Sequence, residues 1–156
     1  MIGAGYEPAD INPNRYRKKG IAVGRFDMCS DLFKLPPNSY DIIMHMHVLE
    51  DIPCALEPVF NATMRALKQC GHFIFSAPIQ AGISRENLWP DLTPEERTEA
   101  FGQSDHLRII GRQDFPRFLT RVLVAPSSQK DFRVDVSAIG KDTIEKAAHP
   151  YAGTII

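Results

Sequence analysis

The segment that decides the fold begins with Tyr40-Asp-Ile-Ile-Met-His45. Its continuous apolar centre is typical of a strand that is covered on both faces of a parallel sheet. The pattern recurs in His72-Phe-Ile-Phe-Ser-Ala77, and the residues between the two runs predict a helix. One apolar stripe at helical spacing is formed by Leu56, Val59, Phe60, Met64 and Leu67. Strand, helix and strand in this order predict a parallel βαβ unit.

Further elements extend this α/β pattern in both directions. Ile21-Ala-Val-Gly-Arg-Phe26 reads as another buried strand, and Phe132-Arg-Val-Asp-Val-Ser137 alternates as an edge strand does. Gly71 is expected to end the central helix in a left-handed conformation after Cys70. Residues 79–92 show little periodicity and are expected to cross over the edge of the sheet.

Two more helices are predicted from their first residues. Thr93-Pro-Glu-Glu96 is a capping box with proline at the first helical position, and Gly102 is expected to end that helix. Asp114 is expected to cap a helix over Phe115 to Leu123, which carries apolar residues on one face. The chain therefore belongs to the α/β class by prediction.

The composition is that of one globular domain of 156 residues. We place the domain at residues 1–138 and a C-terminal tail at 139–156. The 18 Lys and Arg nearly balance the 19 Asp and Glu, which argues against nucleic-acid binding, and no apolar run is long enough for a membrane span. Three cysteines without a CxxC pair, Cys29, Cys54 and Cys70, predict packed thiols in the reducing cytoplasm.

Ligands of open parallel sheets bind at the carboxyl ends of the strands. Asp27 and Met28 follow the first apolar run, His45 and His47 end the second, and Asp10 follows an earlier short segment. Two carboxylates at strand ends are acceptors that suit the donors of a ribose and an exocyclic amine. A nucleoside-type ligand is therefore expected at this edge.

The order of these segments resembles the class I methyltransferases that use S-adenosylmethionine. Asp10-Ile-Asn-Pro-Asn-Arg-Tyr16 is similar to the acidic end of the second strand of that family, and Arg25-Phe-Asp-Met-Cys29 to its third. Ser39-Tyr-Asp-Ile-Ile-Met-His-Met-His-Val-Leu-Glu-Asp-Ile52 is similar to the fourth strand and its turn. Ala66-Leu-Lys-Gln-Cys-Gly-His-Phe-Ile-Phe-Ser-Ala-Pro78 resembles the segment that leads into the fifth. The likeness spans about residues 9–124.

This resemblance implies a Rossmann-like, mostly parallel sheet with flanking helices, and methyl transfer to an oxygen or nitrogen of a small molecule. The cofactor would be S-adenosyl-L-methionine, and its binding residues would be Asp10, Ile11, Asp27, Met28 and His45. Phe101-Gly-Gln103 and Asp105-His-Leu-Arg108 resemble a substrate-side insertion. The catalytic residues would then be His47 and His106, and Arg108 and Trp89 would contact the substrate.

The glycine-rich loop of the family is not reproduced. Ile2-Gly-Ala-Gly5 imitates it, but four residues separate Gly5 from Asp10, whereas a parallel crossover needs about a dozen or more. We therefore expect the first, central strand to be missing. Its neighbours would then leave a gap, pair directly, or accept another chain, and an open edge favours self-association into a homo-oligomer.

Two alternatives stay open at this point. The domain could be a non-catalytic, methyltransferase-like binding or scaffold domain. His45 and His47, followed by Asp51, have the residue types of a zinc site in another α/β hydrolase. Because no third ligand lies close in sequence, we predict no metal. His106, as part of an Asp-His pair, could instead remove a proton from the acceptor.

Overall fold

A computed structural model describes residues 5–123 and 153–154 of the chain. In this part the protein is a mixed α/β structure with three α-helices and small, mostly parallel sheets. The helices are α1 (Leu56–Ala66), α2 (Pro94–Phe101) and α3 (Phe115–Leu123). The strands are β1 (Ala9–Asp10), β2 (Gly24–Arg25), β3 (Tyr40–Met46), β4 (Leu67–Ser76), β5 (Pro78–Gln80), β6 (Arg85–Glu86), β7 (Arg108–Gly111) and β8 (Gly153–Thr154). Two 3-10 segments cover Pro13–Lys19 and Leu32–Lys34.

The predicted βαβ unit is confirmed. β3 and β4 pair in parallel, with Ile42 opposite His72 and Met46 opposite Ser76, and α1 connects them. Phe60 of α1 is fully buried and contacts the rings of Phe73 and Phe75. The second face of this pair is not covered by the described residues, because Ile42, Met44 and Met46 stay about half exposed. Among residues 5–123, the expected cover is therefore found on one face of this pair only.

The helix α1 ends earlier than its sequence pattern predicts. It stops at Ala66, and the chain continues directly into β4, which holds extra residues between Leu67 and His72 where β3 has only Asp41. The positive φ of 63° belongs to Cys70, so the prediction that Gly71 adopts a left-handed conformation is wrong. Gly71 is instead a close approach, since a Cβ there would lie 3.1 Å from the Asp41 carbonyl oxygen.

The remaining strands form two other small sheets. β1 pairs in parallel with β2, and the order in the second sheet is β6-β7-β5-β8. Only Gly24–Arg25 of the expected strand 21–26 is paired. The short strands β5 and β6 lie within the segment that we expected to cross the sheet edge without regular structure. The expected strand 132–137 and most of the tail after Gly140 lie outside the described residues.

Both later helices are confirmed. Thr93 and Glu96 form the predicted capping box of α2, and Gly102 follows it with a φ of 87°. α3 has the predicted bounds, but the carboxylate of Asp114 accepts hydrogen bonds from the backbone N–H and the hydroxyl of Ser84, at 2.8 and 2.9 Å. Asp114 thereby attaches the start of α3 to the loop before β6.

The cysteines correct the expectation of packed thiols. Cys29 and Cys54 form a disulfide with a Cα–Cα distance of 5.8 Å, and Cys70 is free and exposed. The prediction of a cytoplasmic location rested on reduced cysteines, and the disulfide removes that support. The described part of the chain contains no helix that is both long and apolar enough to cross a membrane.

Candidate functional site

The disulfide fixes which parts of the molecule share an edge. Cys29 lies in the turn after β2, and Cys54 lies in the loop after β3. Because the bond holds their Cα atoms 5.8 Å apart, the turn after β2 lies beside the loop after β3. Asp27 and the loop 47–55, on which the sequence placed candidate residues, are therefore brought together.

Asp10 ends β1 and organises the turn that follows. Its carboxylate accepts hydrogen bonds from the backbone N–H of Asn12 at 2.7 Å and from the Tyr16 hydroxyl at 3.1 Å. The hydrogen bond to Asp10, together with the negative charge of that carboxylate, raises the pKa of Tyr16. The neighbouring Ile11 is 61% exposed, so this end of β1 faces open space.

Asp27 occupies the equivalent position after β2. Its carboxylate accepts the backbone N–H of Cys29 at 2.9 Å, and its own N–H donates to Asp31 at 2.8 Å. The hydrogen bond from Lys34 holds the pKa of Asp31 below its ordinary value. Met28 packs against the hydrophobic core, whereas the sequence placed it beside the cofactor. The turn is thus built by acidic side chains that accept backbone N–H groups.

His47 directly follows β3 and adopts a positive φ of 52°. Its Nδ1 lies 3.1 Å from Oε1 of Glu50, whose side chain is only 2% exposed. The Glu50 carbonyl oxygen accepts the backbone N–H of Leu107 at 2.8 Å. The loop after β3 is therefore joined to the segment that carries Asp105 and His106.

Arg108 is buried beneath this loop, with 3% of its surface exposed. Its guanidinium donates to the carbonyl oxygens of Leu49 at 2.5 Å and Cys54 at 2.7 Å, and to the Glu86 carboxylate at 3.0 Å. Burial lowers the pKa of Arg108, and the charge of Glu86 opposes that effect. The sequence placed Arg108 at the substrate, whereas the structure gives it the task of holding the loop that carries Asp51.

The side chains of Asp51, Asp105 and His106 come together at this loop. One oxygen or nitrogen atom from each lies within 4.8 Å of the others. Oδ1 of Asp51 lies 3.8 Å from Nε2 of His106, which is ion-pair distance but longer than a direct hydrogen bond. Burial, together with the charges of Glu50 and Asp105, raises the pKa of Asp51 to about 6. A histidine beside carboxylates can accept a proton and share the resulting charge.

The same three groups are ligand types that bind divalent cations. They do not include the histidine pair of the zinc alternative, because His47 contacts Glu50 and His45 packs against aromatic rings. His45 packs its ring against Phe73 and Phe75, at centroid distances of 5.2 and 5.8 Å. Neither of its ring nitrogens has a hydrogen-bond partner among the described residues. His45 is therefore placed among apolar rings, whereas the sequence assigned it to the cofactor.

Burial lowers the pKa of His45 to about 4, and this shift predicts a dependence of stability on pH. The unfolded chain binds the proton at the ordinary pKa of 6.5, so the folded state loses stability as the pH falls from about 6.5 to about 4. We expect a loss of roughly 2–3 kcal/mol over this range, which His45→Phe should remove. Urea denaturation at a series of pH values measures it. The exposed His72, changed to Gln, is the control, and an unchanged slope in His45→Phe would contradict the prediction.

Trp89 lies in the loop between β6 and α2 with 66% of its surface exposed. Its backbone N–H donates to Oδ1 of Asn87 at 3.0 Å. The side chain of Trp89 is thus largely accessible to solvent.

Sequence reasoning missed the pairing of Asp51 with His106. The acidic residues after His47 give a weak signal, since Glu50 lies three residues after His47. Nothing in the sequence shows that Asp51 and His106, separated by 55 positions, come together through the bond from Leu107 to Glu50. The disulfide was missed because its two cysteines are 25 residues apart, without a motif.

Comparisons of the chain with protein-family models, with curated proteins and with solved structures find no match. Its function is therefore inferred from its own residues and their geometry.

Proposed function

We propose that the domain is a Rossmann-like, S-adenosylmethionine-dependent methyltransferase that acts on an oxygen or nitrogen atom of a small molecule. The observation that carries the proposal is the shared edge at which the disulfide joins the Asp27 turn to the loop of His47 and Asp51. Carboxylates for an adenosine and a histidine–carboxylate pair for an acceptor then lie in adjoining loops. The order of the segments that resemble class I methyltransferases supports the same assignment.

The acceptors present suit the adenosine end of the cofactor. Asp10 accepts two hydrogen bonds from the protein, and an ionised carboxylate offers about four acceptor sites, which leaves capacity for ribose hydroxyls. One oxygen of Asp27 accepts a backbone N–H, and among residues 5–123 the other has no hydrogen-bond partner that would compete with an exocyclic amine. We assign the chain's own residues to the adenosine end only, because no described residue presents a glycine-rich turn to the methionine end.

The chemistry assigned to the protein is placement and proton removal. When bound, S-adenosylmethionine would supply an electrophilic methyl group. His106 would accept the proton of the acceptor, and the adjacent Asp51 would stabilise the imidazolium that results. Holding the acceptor close and aligned accounts for the remainder of the rate enhancement.

A non-catalytic, methyltransferase-like binding domain is the second candidate, and one observation favours it. Within residues 5–123, β1 pairs only with β2 and β3 pairs only with β4, so the two parallel pairs are separate. In the proposed fold their free edges would flank a central strand that the described residues lack. A binding domain tolerates such a gap more easily than a catalyst does.

Calorimetry with S-adenosylhomocysteine tests the proposal. We expect binding that Asp10→Asn and Asp27→Asn each weaken by about tenfold or more, since each removes a charged acceptor. Asp41→Asn is the control, because Asp41 is exposed, pairs with Lys68 and lies at the opposite end of β3. No heat at millimolar ligand would overturn cofactor binding. Binding without methyl transfer to any acceptor would favour the second candidate.

A further inference from the structure

We infer that the acceptor bound beside Asp51 and His106 is a cationic amine, so that the methyl group goes to nitrogen. This inference rests on the proposed function. It is carried by the excess of carboxylates around His106 and by the burial of the cationic side chain of Arg108. Both are properties of the loop 47–55 and of the segment 105–108.

The carboxylates at this site are not satisfied by the protein. Only 2% of the surface of Glu50 is exposed, and its Oε2 has no hydrogen-bond partner among the described residues. Oδ1 of Asp51 is likewise buried and has no hydrogen-bond partner among the described residues, because Nε2 of His106 lies 3.8 Å away. The Glu50 backbone is bonded to Leu107, which places Glu50 against the His106 segment. Buried acceptors without donors cost free energy, and a bound cation with N–H groups would remove that cost.

The guanidinium of Arg108 is not available to bind an anionic acceptor. Only 3% of the surface of Arg108 is exposed. Its guanidinium donates hydrogen bonds to the carbonyl oxygens of Leu49 and Cys54 and to the carboxylate of Glu86. A carboxylate or phosphate beside His106 would therefore meet Asp51 and Asp105, and the engaged guanidinium of Arg108 would not balance its charge. An ammonium group would instead meet opposite charge, which favours its binding.

The proton step balances for such an acceptor. An ammonium group loses one proton to Nε2 of His106, and the electron pair of the broken N–H bond stays on nitrogen. That lone pair then forms the new N–C bond, while the electron pair of the broken S–C bond stays on sulfur. Asp51, 3.8 Å from Nε2, stabilises the protonated imidazole. No oxidant, reductant or further reactant is required.

Three probes of equal length test the inference: butylamine, butanol and butyrate. We expect NMR titrations in the presence of EDTA to show binding of butylamine that is about tenfold tighter than that of the other two. Asp51→Asn and Asp105→Asn should each weaken butylamine binding by about tenfold, since each removes a charged acceptor. Asp91→Asn, an exposed carboxylate in the Trp89 loop, should leave it unchanged.

Three results would overturn the inference. These are equal or tighter binding of butyrate, unchanged binding in Asp51→Asn, and amine binding that disappears when EDTA removes divalent ions. S-adenosylhomocysteine titrated into the same samples separates the two proposals. Cofactor binding without preference for the amine overturns only the amine inference, whereas amine binding without cofactor binding overturns the proposed function and with it methyl transfer to the amine.

Discussion

Replacing Arg108 by Ala is expected to lower the free energy of unfolding by about 3–5 kcal/mol. The substitution removes three hydrogen bonds and leaves the carbonyl oxygens of Leu49 and Cys54 without donors in a buried site. It also removes the partner of Glu86. Urea denaturation followed by circular dichroism measures the change.

Two variants make this result specific. Arg112→Ala changes an exposed arginine just beyond the end of β7 and should shift the unfolding free energy by less than about 0.5 kcal/mol. Arg108→Lys keeps the charge but loses the fork that reaches both carbonyl oxygens, so most of the loss should remain. If Arg108→Ala unfolds at the same urea concentration as the unmodified protein, the guanidinium does not hold the loop.

Reduction of the Cys29–Cys54 disulfide is expected to lower the free energy of unfolding by about 3–4 kcal/mol. The bond closes a loop between residues 25 positions apart, and releasing it restores conformational entropy to the unfolded chain. Urea denaturation with and without a dithiol reductant measures the difference. The double variant Cys29→Ser, Cys54→Ser should match the reduced protein and no longer respond to reductant.

The free cysteine supplies the control for this experiment. Cys70→Ser leaves the disulfide in place, so its stability should still fall on reduction. A further consequence concerns the site, because the bond joins the Asp27 turn to the loop of Asp51. S-adenosylhomocysteine should therefore bind more weakly to the reduced protein at temperatures where it stays folded. An unfolding curve that is identical in both redox states would refute the stabilising role of the bond.

Local patterns predicted the parts of the fold that depend on neighbours in sequence. The unit β3-α1-β4 follows from apolar periodicity, and the start of α2 follows from the Thr93–Glu96 capping box. The end of α1 was misplaced, because the close backbone approach at Gly71 is set by β3. The strand β7 was not predicted, since four residues with long-range partners in β5 and β6 have no local signal.

The candidate site divides along the same line. Asp10, Asp27, His47 and His106 were predicted as candidates because they follow strands or resemble a known segment. The role of Arg108 was not found, because the carbonyl oxygens that it binds lie more than 50 positions away in sequence. The charges of Glu50 and Asp105 raise the pKa of Asp51, and the effect of Asp105 likewise arises only when the two loops meet.

The bonding state of the cysteines also determines what a chemist can attach to the protein. The chain has three cysteines in total, and only Cys70 carries a free thiol while the other two remain bonded. A maleimide dye should therefore react at a single position, which lies toward the amino end of β4 and away from Ser76 at its carboxyl end. One label would be incorporated per molecule without mutagenesis, and the fluorophore would sit clear of the edge where ligands are expected.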